Sequence, residues 1–180
     1  AVLNALDVPR AHVVGFSDGA IEALLMARDH PERVASVLSM GANLSPEGVL
    51  AGDDWDVEGT ARQYEAWAAW LERGPEGVDP SIVTPSAKEA RATAELMRLM
   101  LEEPHIPAAS LGSIRCPVTV MTGEFDCIDP AETQRIANAI PGARKVMVPG
   151  ADHVLPKCAP DDVNRELFSL LRLVESSPCR

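Results

Sequence analysis

Positive charge is scarce in this chain: 16 Lys and Arg face 27 Asp and Glu, for a formal net charge of -11. Nucleic-acid phosphates would repel such a surface, so no nucleic-acid partner is expected. The same imbalance favours neutral or cationic small substrates. No apolar run approaches the ~20 residues needed to cross a bilayer, so no membrane partner is expected either. Cys116, Cys127, Cys158 and Cys179 form no C-x-x-C pair, which argues against a zinc or redox centre. No metal and no cofactor is therefore expected. Cys127 and Cys158 follow two loops of interest and could be neighbours, but free thiols are the ordinary state of a cytosolic enzyme. Internal repeats and low-complexity tracts are missing. No secretory signal is visible, but the chain lacks an initiator Met, so that silence is uninformative. A cytoplasmic setting is the expectation. What is present in quantity is apolar residue, 46% of the chain, enough to build the core of one domain.

The apolar residues are arranged as alternating strands and helices. Strands are predicted at 11–16, 33–40, 117–122 and 144–148, and helices at 19–29, 130–140 and 160–174. Residues 1–9 read as the end of a helix stopped by Pro9. The run at 11–16 has the continuous apolar character of a parallel strand covered on both faces. Asp129-Pro130-Ala131-Glu132 supplies a cap, a proline at the first turn and an early acid. This alternation implies an α/β fold with a parallel sheet covered by helices. Between residues 50 and 108 the strand pattern disappears. Tyr64, Trp67, Trp70 and Leu71 fall on one helix face, Gly74-Pro75-Glu76-Gly77 marks a turn, and Ala87 to Glu103 reads as a second helix with Ala94, Met97, Met100 and Leu101 apolar. The expected organisation is a core of 1–49 and 109–180 interrupted by a helical segment, 50–108. The acidic cluster Asp53-Asp54-Asp56-Glu58 reads as a solvated loop.

Gly15-Phe16-Ser17-Asp18-Gly19 joins the first strand to the first long helix. G-x-S-x-G in that context places a serine on a sharp, strained turn with its hydroxyl above the sheet. Both glycines are expected where neighbouring backbone leaves no room for a Cβ. Two later strands end in loops bearing Asp126 and His153. The chain order Ser, Asp, His is that of an α/β-hydrolase.

On these motifs the chain resembles the α/β-hydrolase fold superfamily over nearly its whole length. Within it, Gly15 to Gly19 followed by Gly41-Ala42-Asn43-Leu44 most resembles the valacyclovir-hydrolase-like and general-esterase branches. The resemblance implies Ser17 as nucleophile, Asp126 as acid and His153 as base. It implies a lid for the helical segment, and the backbone N–H of Asp18 as one oxyanion donor. Candidate substrate contacts are Phe16, Asp18 and Trp67. The Asp18 carboxylate suits either a substrate ammonium or a helix N-terminus. Trp67 suits either lid packing or an acyl pocket. Only 14 residues precede Gly15, where the family carries further strands and a second oxyanion donor. The expectation is the C-terminal part of a longer enzyme, or a truncated gene product.

Rival residues read differently. His12 enters a strand, His30 precedes a proline, and His105 sits between prolines where it could line a cleft. Asp129 looks like a helix cap, and Glu124 and Asp152 like solvated loop charges. The expected activity is cleavage of small carboxylic esters or related acyl compounds through an acyl-enzyme. Lactone or C–C hydrolysis would use the same three residues. Dehalogenases and epoxide hydrolases attack through an aspartate where this chain has Ser17. The rival class is an inactive or partner-dependent fragment lacking half of its oxyanion hole. Its unpaired edge at 11–16 would invite a second copy of the chain or a complementing N-terminal segment.

Overall fold

The computed structural model describes residues 1–50 and 56–176. Asp53, Asp54 and Cys179 lie outside these. Four parallel strands, β1 (Ala11–Phe16), β2 (Val34–Met40), β3 (Val118–Phe125) and β4 (Arg144–Asp152), form one sheet in the order β1-β2-β3-β4. The helices of this part are α1 (Val2–Ala5), α2 (Asp18–Asp29), α5 (Pro130–Ala139), α6 (Leu155–Cys158) and α7 (Pro160–Glu175). Two more, α3 (Val57–Glu72) and α4 (Ala87–Glu102), lie between β2 and β3 in sequence. By compactness the chain divides into Ala1–Leu50 with His105–Arg180, and Ala51–Pro104. Among the described residues no helix is long and apolar enough to cross a membrane.

Side-chain alternation along the inner strands sorts the core of the first unit into two clusters. Val37, Val118 and Val120 join Leu24 of α2 and Ile136 of α5 in one. Leu38, Met40 and Met121 join Leu155 of α6 and Leu170 of α7 in the other. A strand buried on both faces must be apolar at every position or hydrogen-bond what is not. All seven residues of β2 are buried; the Ser36 hydroxyl follows the rule by meeting His12 Nδ1 at 2.8 Å, whereas the buried Ser39 hydroxyl has no hydrogen-bond partner among the described residues and is an exception.

β1 departs from the reading of a strand covered on both faces and agrees with that of an unpaired edge. Val14 is 48% exposed and only Gly15 of the strand is buried. The reason is position: β1 is the sheet's edge among the described residues and pairs only with β2. α1 is also shorter than the predicted 1–9, because Asp7 takes φ 51° and ends the helical path. β3 and β4 run on to Phe125 and Asp152, past the predicted 122 and 148. A short helical turn at Ala108–Ser113 and the four-residue α6 were not predicted.

In the second unit α3 and α4 pack through small residues, with Ala61, Ala68, Ala90 and Ala94 buried. Alanine lets helix backbones approach closely while keeping helix propensity high. Glu65 pairs with Arg98 and Glu72 with Arg91 across the two helices. Ser86 and Glu89 form a capping box at the start of α4. Of the predicted apolar face of α4, Ala94 is buried while Leu101 is 40% exposed.

Candidate active site

The site begins with the turn after β1. Ser17 has φ 54° and ψ -122°, outside the regions open to an ordinary L-residue. Such a conformation costs about 1–3 kcal/mol and persists only where the surroundings impose it. Here the Ser17 N–H donates to Met40 O at 2.8 Å, and its carbonyl accepts from Ala20 N at 2.8 Å. A Cβ on Gly15 would stand 2.0 Å from Gly19 O, so only glycine fits. Gly19 does not share that constraint: a Cβ there meets nothing within 4 Å, contrary to expectation. The tight approach is made by Gly15 against the Gly19 backbone, so one missing side chain suffices.

β3 delivers Asp126 and β4 delivers His153. Asp126 is buried, its side chain 1% exposed. Its Oδ2 accepts from Thr122 Oγ1 at 3.0 Å, and its Oδ1 from the N–H of Ile128 at 3.0 Å. The loop is pinned further by Leu50 N to Cys127 O at 2.7 Å and Asp129 N to Gly48 O at 2.9 Å. His153 Nδ1 lies 2.7 Å from Asp126 Oδ1, and His153 Nε2 lies 3.1 Å from Ser17 Oγ. Three predicted side chains, from the ends of β1, β3 and β4, thus form one hydrogen-bonded line.

The electrostatics follow. Burial pushes the Asp126 carboxyl upward, but His153, the Ile128 N–H and the Thr122 hydroxyl together hold it below its ordinary value. Burial pushes the His153 imidazole downward. The Asp126 carboxylate, with the Cys127 sulfur beside it, outweighs this and holds the ring above its ordinary 6.5. A neutral ring donating Nδ1–H to Asp126 has its Nε2 lone pair toward Ser17, which is the arrangement that accepts a hydroxyl proton.

Other predicted residues are placed as follows. The Phe16 ring centroid is 4.9 Å from that of His153. The Asp18 side chain is exposed at the first turn of α2, where a carboxylate complements the helix N-terminus. Its N–H is at a helix start, where backbone donors have no intrahelical acceptor. Trp67 stacks on Trp70 at 5.0 Å, and its Nε1 donates to Pro85 O at 2.9 Å, all within the helical unit. Asp129 caps α5 by accepting from Ala131 N. Glu124 accepts from Gly150 N and Asp152 from Val154 N, both from exposed positions. Cys116, Cys127 and Cys158 are free.

Sequence reasoning missed three contributors. Gly41 has φ 66°, and a Cβ there would stand 2.8 Å from His153 Cε1. Its N–H is engaged, donating to Met121 O at 2.9 Å. A glycine directly after a strand was the available signal, but not what packs on it. Thr122 was read only as part of a strand. Cys127 was read only as a disulfide candidate, yet its sulfur lies within 4.8 Å of the ligating atoms of Asp126 and His153.

Known proteins share this framework. The chain is 26% identical, over 94% of its own length and 68% of the relative's, to a protein of Caulobacter sp. (strain K31) named as a carbamate hydrolase, RutD. Among solved structures it resembles Est816, an N-acyl homoserine lactone degrading enzyme, at TM-score 0.61 and 25% identity over 94% of this chain and 70% of that one. It also resembles the enol-lactonase of Burkholderia xenovorans LB400 at TM-score 0.67 and 19% identity, over 95% of this chain and 69% of that one. The family model described as the alpha/beta hydrolase family matches residues 1–166. With its parallel sheet, serine turn and chain order, the chain belongs to the alpha/beta hydrolase family.

Proposed function

We propose that this hydrolase cleaves small carboxylic esters through a covalent acyl-enzyme. The observation that carries the reading is the continuous line Ser17 Oγ, His153 Nε2, His153 Nδ1, Asp126 Oδ1, with separations of 3.1 and 2.7 Å. Ser17 attacks the carbonyl carbon as His153 takes its proton. Asp126 holds the ring and stabilises the imidazolium. The Asp18 N–H faces the developing oxyanion, a contribution of about 3 kcal/mol to the barrier for a preorganised donor. His153 then protonates the leaving alcohol, and a water molecule activated by the same ring releases the acid. Phe16 beside His153 gives the reacting carbonyl an apolar wall.

Cyclic esters are the second substrate class. Similarity to a lactone-degrading enzyme at 25% identity favours them, and the same residues would open the ring without losing a fragment. A fluorophosphonate probe tests the nucleophile: Ser17 is labelled, and Ser17→Ala abolishes labelling. Intact Ser17 that stays unlabelled would overturn the reading. Turnover of p-nitrophenyl acetate against a panel of acyl homoserine lactones then separates the two substrate classes.

A further inference from the structure

One group stands beside the proposed catalytic line without being a link in it: the thiol of Cys127. Asp126, Cys127 and His153 each offer one ligand atom, and all three atoms lie within 4.8 Å of one another. His153 and Asp126 are 27 residues apart in sequence, so no count of C-x-x-C spacings could reveal the set. We propose that these three side chains form an inhibitory site for a thiophilic divalent cation, represented by Zn²⁺, which switches the hydrolase off by capturing its base.

The donor set selects the ion. A thiolate, an imidazole and one carboxylate suit zinc, whereas magnesium and calcium take oxygen ligands. Zinc binds S, N and O donors at about 2.0–2.3 Å, which in a tetrahedron places ligand atoms roughly 3.5 Å apart. The present separations are compatible with that value: His153 Nδ1 and Asp126 Oδ1 at 2.7 Å must part slightly, and the sulfur already lies within 4.8 Å of both groups. The supports are already built. Thr122 Oγ1 and Ile128 N hold the carboxylate, Leu50 N holds the Cys127 carbonyl, and Gly41 presents no side chain against the ring. Outer partners of this kind orient ligands for a metal. The thiol is half-buried, so the ion has a route in. A water would complete four ligands.

The consequence for the base follows from proton bookkeeping. Starting from neutral His153, the Cys127 thiol loses its proton to solvent. The Nδ1 proton also leaves, freeing that lone pair for the metal, and Nε2 gains one. The ion therefore displaces one net proton, with no change in oxidation state. Nε2–H then faces Ser17 Oγ and cannot accept its proton. This inhibitory consequence rests on the proposed role of His153 as base; the binding itself does not.

Isothermal titration of the purified full chain with Zn²⁺, with Mg²⁺ as control, tests the site. One Zn²⁺ per chain is expected, with no Mg²⁺ response. Cys127→Ala should weaken binding at least about tenfold, while Cys158→Ala and Cys116→Ala leave it unchanged. Zinc binding that is insensitive to Cys127→Ala overturns the site. In parallel, fluorophosphonate labelling of Ser17 should be lost with saturating Zn²⁺, return with EDTA, and persist under Zn²⁺ in Cys127→Ala. Binding at Cys127 with undiminished labelling would overturn the inhibitory role. A zinc-free protein that resists labelling would remove the hydrolase reading, and the titration would still decide the site.

Discussion

At the residue scale, the proposed function rests on which proton each group of the line can hold. Asp126 and its neighbour sulfur keep the His153 imidazole protonated to higher pH than an ordinary histidine. A base must be neutral to act, so kcat/KM should rise with pH along a limb whose midpoint lies above 6.5, the ordinary imidazole value. Asp126→Asn removes the carboxylate that favours the charged ring. That limb should move to lower pH while kcat falls about 10⁴-fold, since the amide no longer holds the productive tautomer. A pH–rate profile checks both; a limb that stays in place would show that Asp126 does not set the ring's charge. Gly41→Ala tests positioning alone. The added Cβ would stand 2.8 Å from the ring in a backbone conformation with φ 66°. The ring must shift, and kcat/KM should drop about 10²-fold, as displacements near 1 Å do. Unchanged kinetics in a folded variant would mean that the ring has slack.

At the element scale, the turn between β1 and α2 holds strain for the sake of the serine. Ser17→Gly should therefore stabilise the protein by about 1 kcal/mol while abolishing turnover, because glycine accepts φ 54° freely. A urea midpoint that falls would show that the turn is not strained or that the hydroxyl contributes more to folding than to chemistry. This turn was legible in sequence because glycine, serine and flanking apolar runs are local signals. Ser17, Asp126 and His153 were legible for the same reason: each follows a recognisable strand. Gly41, Thr122 and Cys127 were not, because their importance lies in what crosses over to meet them. For a related reason the sequence left β1 open between a strand covered on both faces and an unpaired edge. Apolar composition marks a strand, but whether a neighbour lies beyond it is a property of the sheet.

At the scale of the whole molecule, one sheet carries two apolar clusters and the proposed catalytic line sits at the strand ends. Leu24 lies in one cluster and Leu38 in the other, both fully buried. Leu24→Ala and Leu38→Ala should each cost about 2–5 kcal/mol, the range for truncating a buried leucine in a packed core. Denaturant unfolding checks this; a loss below 1 kcal/mol at either would mean that its side of the sheet is not close-packed. By itself the sequence determined the α/β class, the order of the elements and the three side chains at the strand ends, since periodicity and turn chemistry are read along the chain. Only the tertiary structure decided that β1 is an edge among the described residues, that Gly41 backs the imidazole, and that a thiol stands within 4.8 Å of Asp126 and His153. Distances between residues far apart in sequence are fixed by strand register and loop closure, and neither is written in any local stretch of the chain.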